Sequence, residues 1–300
     1  MSCKPTKAAT WTSWSINAKG SGPSQINDCI EGVQVRTSEL VFRGVGVALI
    51  TLFDAEGTPD VAATTAHAAR VVERGVRAVL LAGTTGEFWA LSETDRVKLI
   101  HAVRSALPSE IPVLAGTGAD DTATAVRLTS AAVTAGADAV LVLAPRGATD
   151  LGDYYTAVAD AAADRPVLGY HMPAICSPGL PLEQLATLPI QGIKDSSLDP
   201  RRLLAELDIL DGHVITGVDS LLSYAGPLGC VGALTAMANV EPELCIAAFA
   251  GDAGAQRRLA PIERSALQGF PLGLKRLLHL QAGTSMELGP GTVTLAGNVA

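Results

Sequence analysis

Short runs of β-branched and aliphatic residues begin at Val45 and recur along the chain, separated by Ala-rich, charge-bearing stretches whose apolar positions repeat at helical spacing. The pattern predicts strands at 45–52, 77–83, 111–117, 138–144, 166–172, 191–196, 213–218 and 230–236. Helices are predicted between and after them at 58–74, 92–106, 121–135, 151–163, 181–187, 199–208, 220–226 and 241–250. Strict strand–helix alternation argues for a parallel α/β architecture, and eight repeats are what a closed barrel needs. The expected fold is therefore α/β, a (β/α)8 TIM barrel with a short C-terminal helical extension. A doubly wound open sheet shares the same rhythm, and the strand count separates the two. Local chemistry agrees: Ser92 with Asp95 three residues on reads as a capping box, and Gly75 and Gly136 sit just past helix ends.

Residues 1–40 carry no sustained period and contain the breaker cluster Gly20-Ser21-Gly22-Pro23-Ser24, so they read as a flexible extension. The barrel is expected over 41–252 and a helical region with a tail over 253–300. Within the latter, 255–268 and 272–280 look helical, whereas 283–300 predicts no element.

Composition narrows the function classes. With 300 residues, 48% of them hydrophobic, and a mean hydropathy of +0.31, the chain can bury a large core. Its net charge of -8 offers no basic excess for nucleic acid. The apolar runs are too short to cross a bilayer, and the N-terminus mixes Lys4, Lys7 and Lys19 with Ser, Thr and Trp, unlike a secretory signal. Five scattered cysteines form neither a CxxC pair nor a zinc ligand set, which fits reduced thiols and a cytoplasmic location.

In a barrel of this kind catalytic groups sit where strands end. Lys194 lies inside the sixth predicted strand, where a lone ammonium is costly unless it is paired or functional. An amine held there can attack a ketone carbonyl, and the resulting iminium is an electron sink for making or breaking a carbon–carbon bond. The alternative is a structural ion pair with Asp195 or another strand-end carboxylate. Tyr170, on the preceding strand, is placed to relay protons. The turn Gly83-Thr84-Thr85-Gly86-Glu87 offers hydroxyls and backbone N–H groups to a carboxylate.

Taken together, GTTGE after the second strand, YHMP ending the fifth, GIKDSS on the sixth, GVDSLL after the seventh and ANVEPEL after the eighth resemble the dihydrodipicolinate synthase and N-acetylneuraminate lyase superfamily, from about Val45 to Leu280. The resemblance implies a lyase in which Lys194 forms the Schiff base and Tyr170 is the general acid/base. It implies that Thr84 and Thr85 support Tyr170 and hold the carboxylate of a 2-oxo acid, and that Gly83, Gly217 and Leu234 line the pocket. It further implies a homotetramer built as a dimer of dimers, with a small-molecule 2-oxo acid as partner and no metal or organic cofactor.

The chain also departs from that pattern. Members that make the lysine precursor carry a Pro-Tyr-Tyr run after the fourth strand, where this chain has Pro145-Arg146-Gly147, and Tyr154 and Tyr155 come later as packing residues. Those members place an arginine shortly after the YNxP motif, where this chain reads Pro173-Ala174-Ile175-Cys176. Arg146 is a substitute candidate for binding the second substrate. His171 replaces the frequent Asn and is expected to serve structure. The departures favour a sugar-acid or 4-hydroxy-2-oxo acid aldolase using pyruvate. The alternatives are 4-hydroxy-tetrahydrodipicolinate synthase, a deoxy-oxo sugar acid dehydratase, and a non-catalytic barrel that binds a 2-oxo acid.

Overall fold

A computed structural model describes residues 41–210 and 213–294. The expected extension over 1–40 lies outside the described residues. Eight parallel strands pair in sequence order and close on themselves, the eighth against the first: β1 (Gly44–Ala48), β2 (Val79–Leu81), β3 (Val113–Gly116), β4 (Ala139–Leu143), β5 (Val167–His171), β6 (Gly192–Asp195), β7 (Val214–Thr216) and β8 (Gly232–Thr235). The helices are α1 (Val61–Glu73), α2 (Glu93–Ala106), α3 (Thr122–Thr134), α4 (Gly152–Ala162), α5 (Pro200–Ile209), α6 (Leu222–Ala225), α7 (Pro242–Phe249), α8 (Ala253–Leu267) and α9 (Leu272–Ala282).

Period-two alternation creates two apolar shells. Val45, Val47, Val79, Val113, Val140, Val167 and Ile193 face outward under the helices. Ala48, Leu80, Leu114, Leu141, Leu168 and Leu234 fill the lumen. Strands buried on both faces read as continuous apolar runs, which is why they stood out in the sequence. The ends of the elements follow from local chemistry. Ser92 and Asp95 form the reciprocal cap of α2, and Gly75 and Gly136 adopt φ of +100° and +101° where α1 and α3 stop.

Two predicted helices shrink. The segment 181–187 makes only a 3-10 turn at Leu182–Gln184, because residues 172–180 are spent on a loop that leaves little length before β6. The segment 220–226 becomes a 3-10 turn followed by the single turn α6.

Residues 283–294, part of the stretch that lacked any periodic signal, are held through one buried ion pair. Lys275 on α9, fully buried, places Nζ 2.5 Å from Glu87 Oε1 and donates to the Glu287 carbonyl. Glu87 Oε2 accepts from Gly289 N–H at 2.9 Å and from the Thr292 hydroxyl at 2.7 Å. Trp89 Nε1 donates to the same Thr292 oxygen at 2.9 Å. Residues 283–294 are thereby strapped to the turn that follows β2.

Candidate active site

The barrel register sets the central pair. Tyr170 on β5 is the direct neighbour of Lys194 on β6, and neighbouring residues of paired strands project to the same side. Leu168, two residues before Tyr170, faces the lumen, so both side chains enter it. Lys194 is buried, with Nζ 4.4 Å from the centroid of the Tyr170 ring, a cation–π arrangement.

Among the described residues Lys194 forms no ion pair. Asp195 points to the opposite side of β6. There its carboxylate accepts from the Ser197 N–H and hydroxyl at 3.1 and 3.0 Å and lies 3.8 Å from Arg202 Nε. Arg202 in turn donates to Glu206 at 2.7 Å. Burial, and then Asp195, push the Glu206 carboxyl up to about 8. Asp195, the carboxylate next to Lys194 in the chain, is therefore committed behind the sheet.

Above the pair opens a cavity of about 120 Å³ at the C-terminal mouth, lined by Thr84, Thr85, Tyr170, Lys194, Gly217 and Leu234 among others. Gly217 is dictated by packing: a Cβ there would stand 2.5 Å from Lys194 Cε and 2.1 Å from Ser196 Oγ. The turn after β2 spends its later amides on itself, Gly86 and Phe88 donating to the Gly83 carbonyl and Glu87 to that of Thr84. Among the described residues, the Thr84 and Thr85 N–H groups have no backbone acceptor, and both residues face the cavity.

Two of the expected site residues are not brought to the cavity. Gly83 shapes the turn through its carbonyl and borders a smaller hollow beside Arg96. Arg146 lies on an exposed loop, its guanidinium turned away and bonded to Asp120. The tyrosines after β4 serve the fold: Tyr154 donates to the Leu143 and Ala119 carbonyls, and Tyr155 to that of Val142. His171 accepts from Leu180 N–H at 3.0 Å through Nδ1, and burial lowers its pKa to about 4, so the neutral ring fastens the loop before β6.

The structure also brings in groups to which the sequence assigns no role, Asp219 among them although it stands at a strand end. Tyr170 and Thr84 do not bond each other: both hydroxyls converge on Met172 Sδ, at 2.8 and 3.8 Å. Asp219, buried after β7, accepts from Met237 N–H at 3.2 Å and is pushed up to about 6 by burial. Glu263, Leu267 and Phe270 reach the cavity from the C-terminal region. Met172 was visible within YHMP, and Asp219 within GVDSLL. Nothing in the local sequence marked Glu263. Asn239 of ANVEPEL is structural: it accepts from Ile50 N–H and donates to the Ala48 and Ala236 carbonyls, tying the loop after β8 to that after β1.

A closed α/β barrel presenting a buried, unpaired lysine beside a tyrosine at its C-terminal mouth defines a class I aldolase-type lyase. The chain belongs to the dihydrodipicolinate synthetase family, whose sequence model matches residues 41–282. It is 36% identical over 262 residues to an uncharacterized DapA-like lyase of Halobacterium salinarum, covering 83% of this chain and 84% of that one. It is 37% identical over 256 residues to the 4-hydroxy-tetrahydrodipicolinate synthase of Stutzerimonas stutzeri, covering 79% and 87%. The prophage protein YagE from E. coli K12, solved in complex with pyruvate, superposes with a TM-score of 0.78 at 26% identity, covering 86% and 95%. The dihydrodipicolinate synthase of Acinetobacter baumannii, also complexed with pyruvate, gives 0.77 at 27% identity, covering 86% and 95%. Among the described residues no helix is long and apolar enough to cross a membrane, and no cluster of three potential metal ligands occurs.

Proposed function

We propose that this lyase makes and cleaves hydroxy-2-oxo acids, with pyruvate as one partner, through an iminium on Lys194. The observation that carries this reading is the buried Lys194 amine, free of any ion pair among the described residues and in register with Tyr170. The amine adds to the C2 carbonyl, and loss of water from the carbinolamine leaves the iminium. In cleavage a base removes the C4 hydroxyl proton, the C3–C4 bond breaks, and its electron pair enters the iminium to give an enamine and an aldehyde. Protonation at C3 and hydrolysis then return pyruvate and free lysine. Tyr170 moves these protons. A thioether accepts hydrogen bonds and has no proton to pass on, so Met172 parks the phenol without competing for its role. The Thr84 and Thr85 amides and hydroxyls hold the substrate carboxylate.

The names of several relatives favour a second reading, synthesis of 4-hydroxy-tetrahydrodipicolinate. Against it stand Pro145-Arg146-Gly147 and the Ala174-Ile175 stretch, which lack the tyrosine and arginine such members use. By kinship the chain is further read as a cytoplasmic homotetramer, a dimer of dimers.

Borohydride reduction with pyruvate, followed by peptide mass analysis, tests the proposal: Lys194 should carry the reduced adduct, and an unmodified Lys194 overturns it. Tyr170→Phe should lower turnover by about a hundredfold or more. Product analysis with aspartate semialdehyde decides between the two substrates.

A further inference from the structure

Part of the cavity's lining comes from outside the barrel, from α8 and the residues after it. Glu263 sits on α8 between Leu259 and Ala266, four residues after one and three before the other, and so falls on the buried stripe of that helix. The residue itself is half-buried, and a carboxylate partly withdrawn from water on an apolar stripe is costly unless something faces it. Among the described residues Glu263 forms no ion pair, although Arg264 is adjacent. What it faces is the cavity, which it lines together with Leu267 and Phe270.

The charges around that space are one-sided. Among the described residues Lys194 is the only cation lining the cavity, and its nitrogen carries no charge in the enamine that meets the aldehyde. Asp219 and Glu263 are its two carboxylates, and Asp219 is already engaged by Met237 N–H. Arg146 is turned away to Asp120. An aldehyde bearing its own carboxylate would meet like charge with no guanidinium to receive it. Burial, and then the neighbouring Asp219, push the Glu263 carboxyl up to about 7. A carboxyl shared between its two protonation states near neutrality both donates to and accepts from a hydroxyl.

Resting on the aldol reading above, we propose that Glu263 is a specificity-determining residue: it hydrogen-bonds a hydroxyl of the second substrate and selects an uncharged hydroxyaldehyde over an anionic one. Its placement on the C-terminal extension makes that extension part of substrate choice.

The test uses the full chain with pyruvate and two probe aldehydes, glyceraldehyde and succinic semialdehyde, after borohydride trapping has verified the Lys194 adduct in every variant. The unmodified protein should prefer glyceraldehyde by about tenfold or more in kcat/KM, the worth of one hydrogen bond to a charged group. Glu263→Gln removes the charge and keeps the hydrogen bond, so it should relieve rejection of succinic semialdehyde while retaining glyceraldehyde. Glu263→Ala should raise KM for glyceraldehyde by about tenfold with little change in kcat. A protein that traps pyruvate yet condenses succinic semialdehyde as readily, fails to condense glyceraldehyde, or keeps its preference in both variants overturns the assignment of Glu263. Loss of trapping in the unmodified protein overturns the aldol reading itself and with it this inference.

Discussion

At the scale of single residues, the site depends on where small groups stand as much as on where reactive ones do. Gly217 leaves the space through which Lys194 reaches the lumen. Gly217→Ala should leave the fold intact, since the residue lies outside any strand or helix, but it must push the lysine stem or Ser196 aside. Displacement of a reacting group by about 1 Å costs on the order of a hundredfold in rate. Turnover should therefore fall by about that factor and the yield of the borohydride adduct with it, while thermal unfolding measured by circular dichroism stays near that of the unmodified protein. The same scale shows why some residues were legible in the chain and others were not. Lys194 and Tyr170 announce themselves because a charge and a phenol interrupt apolar strands. Glu263 does not, because a glutamate in a helix is ordinarily a solvated residue and only tertiary packing turns this one inward. Arg146 shows the converse: its chemistry suits an anion, and the carboxylate that pairs with it, Asp120, lies in another loop where the local sequence gives no sign of it.

At the scale of elements, the alternation of strands and helices could be read from periodicity because each strand of a closed parallel barrel is covered on both faces. The short elements after β5 and β7 could not. A stretch of seven residues carries too little periodic signal to separate a helix from a turn, and the loop packed by His171 decides the outcome. The placement of residues 283–294 was invisible for another reason, since it hangs on one long-range pair, Lys275 with Glu87. Burial depresses the Lys275 ammonium, and Glu87 opposes that effect. Removing one partner strands the other charge in the interior, so Lys275→Met should destabilise by about 3–5 kcal/mol in urea unfolding. The double variant Lys275→Met with Glu87→Gln should recover much of that loss. Glu87 also ends the turn that carries Thr84 and Thr85, and the single variant should raise KM for pyruvate along with the loss of stability.

At the scale of the whole molecule, a buried polar bridge spans the junction between the last and first strands. His67 on α1 lies within hydrogen-bond distance of Asn239 Oδ1 at 3.0 Å, and its Nδ1 accepts from Arg70 at 3.1 Å, which fixes a neutral ring with the proton on Nε2. Burial lowers its pKa from 6.5 to about 4. An unfolded chain takes up that proton before the folded one does, so the stability this group contributes is present above pH 6.5 and lost as pH falls toward 4. Asp219, Glu206 and Glu263 are shifted upward and act in the opposite sense, so the comparison that isolates His67 is between the protein and His67→Gln. Across that interval the protein should lose about 3 kcal/mol more than the variant, read from melting curves at the two ends. The pairing of Tyr170 with Lys194 has a last consequence, for what drift the chain can survive. Loops at the mouth can lengthen or shorten and only retune the choice of substrate. One residue gained or lost inside β5 or β6, however, would turn either the phenol or the amine out under the helices, so these two strands must be inherited without gaps wherever the chemistry is kept.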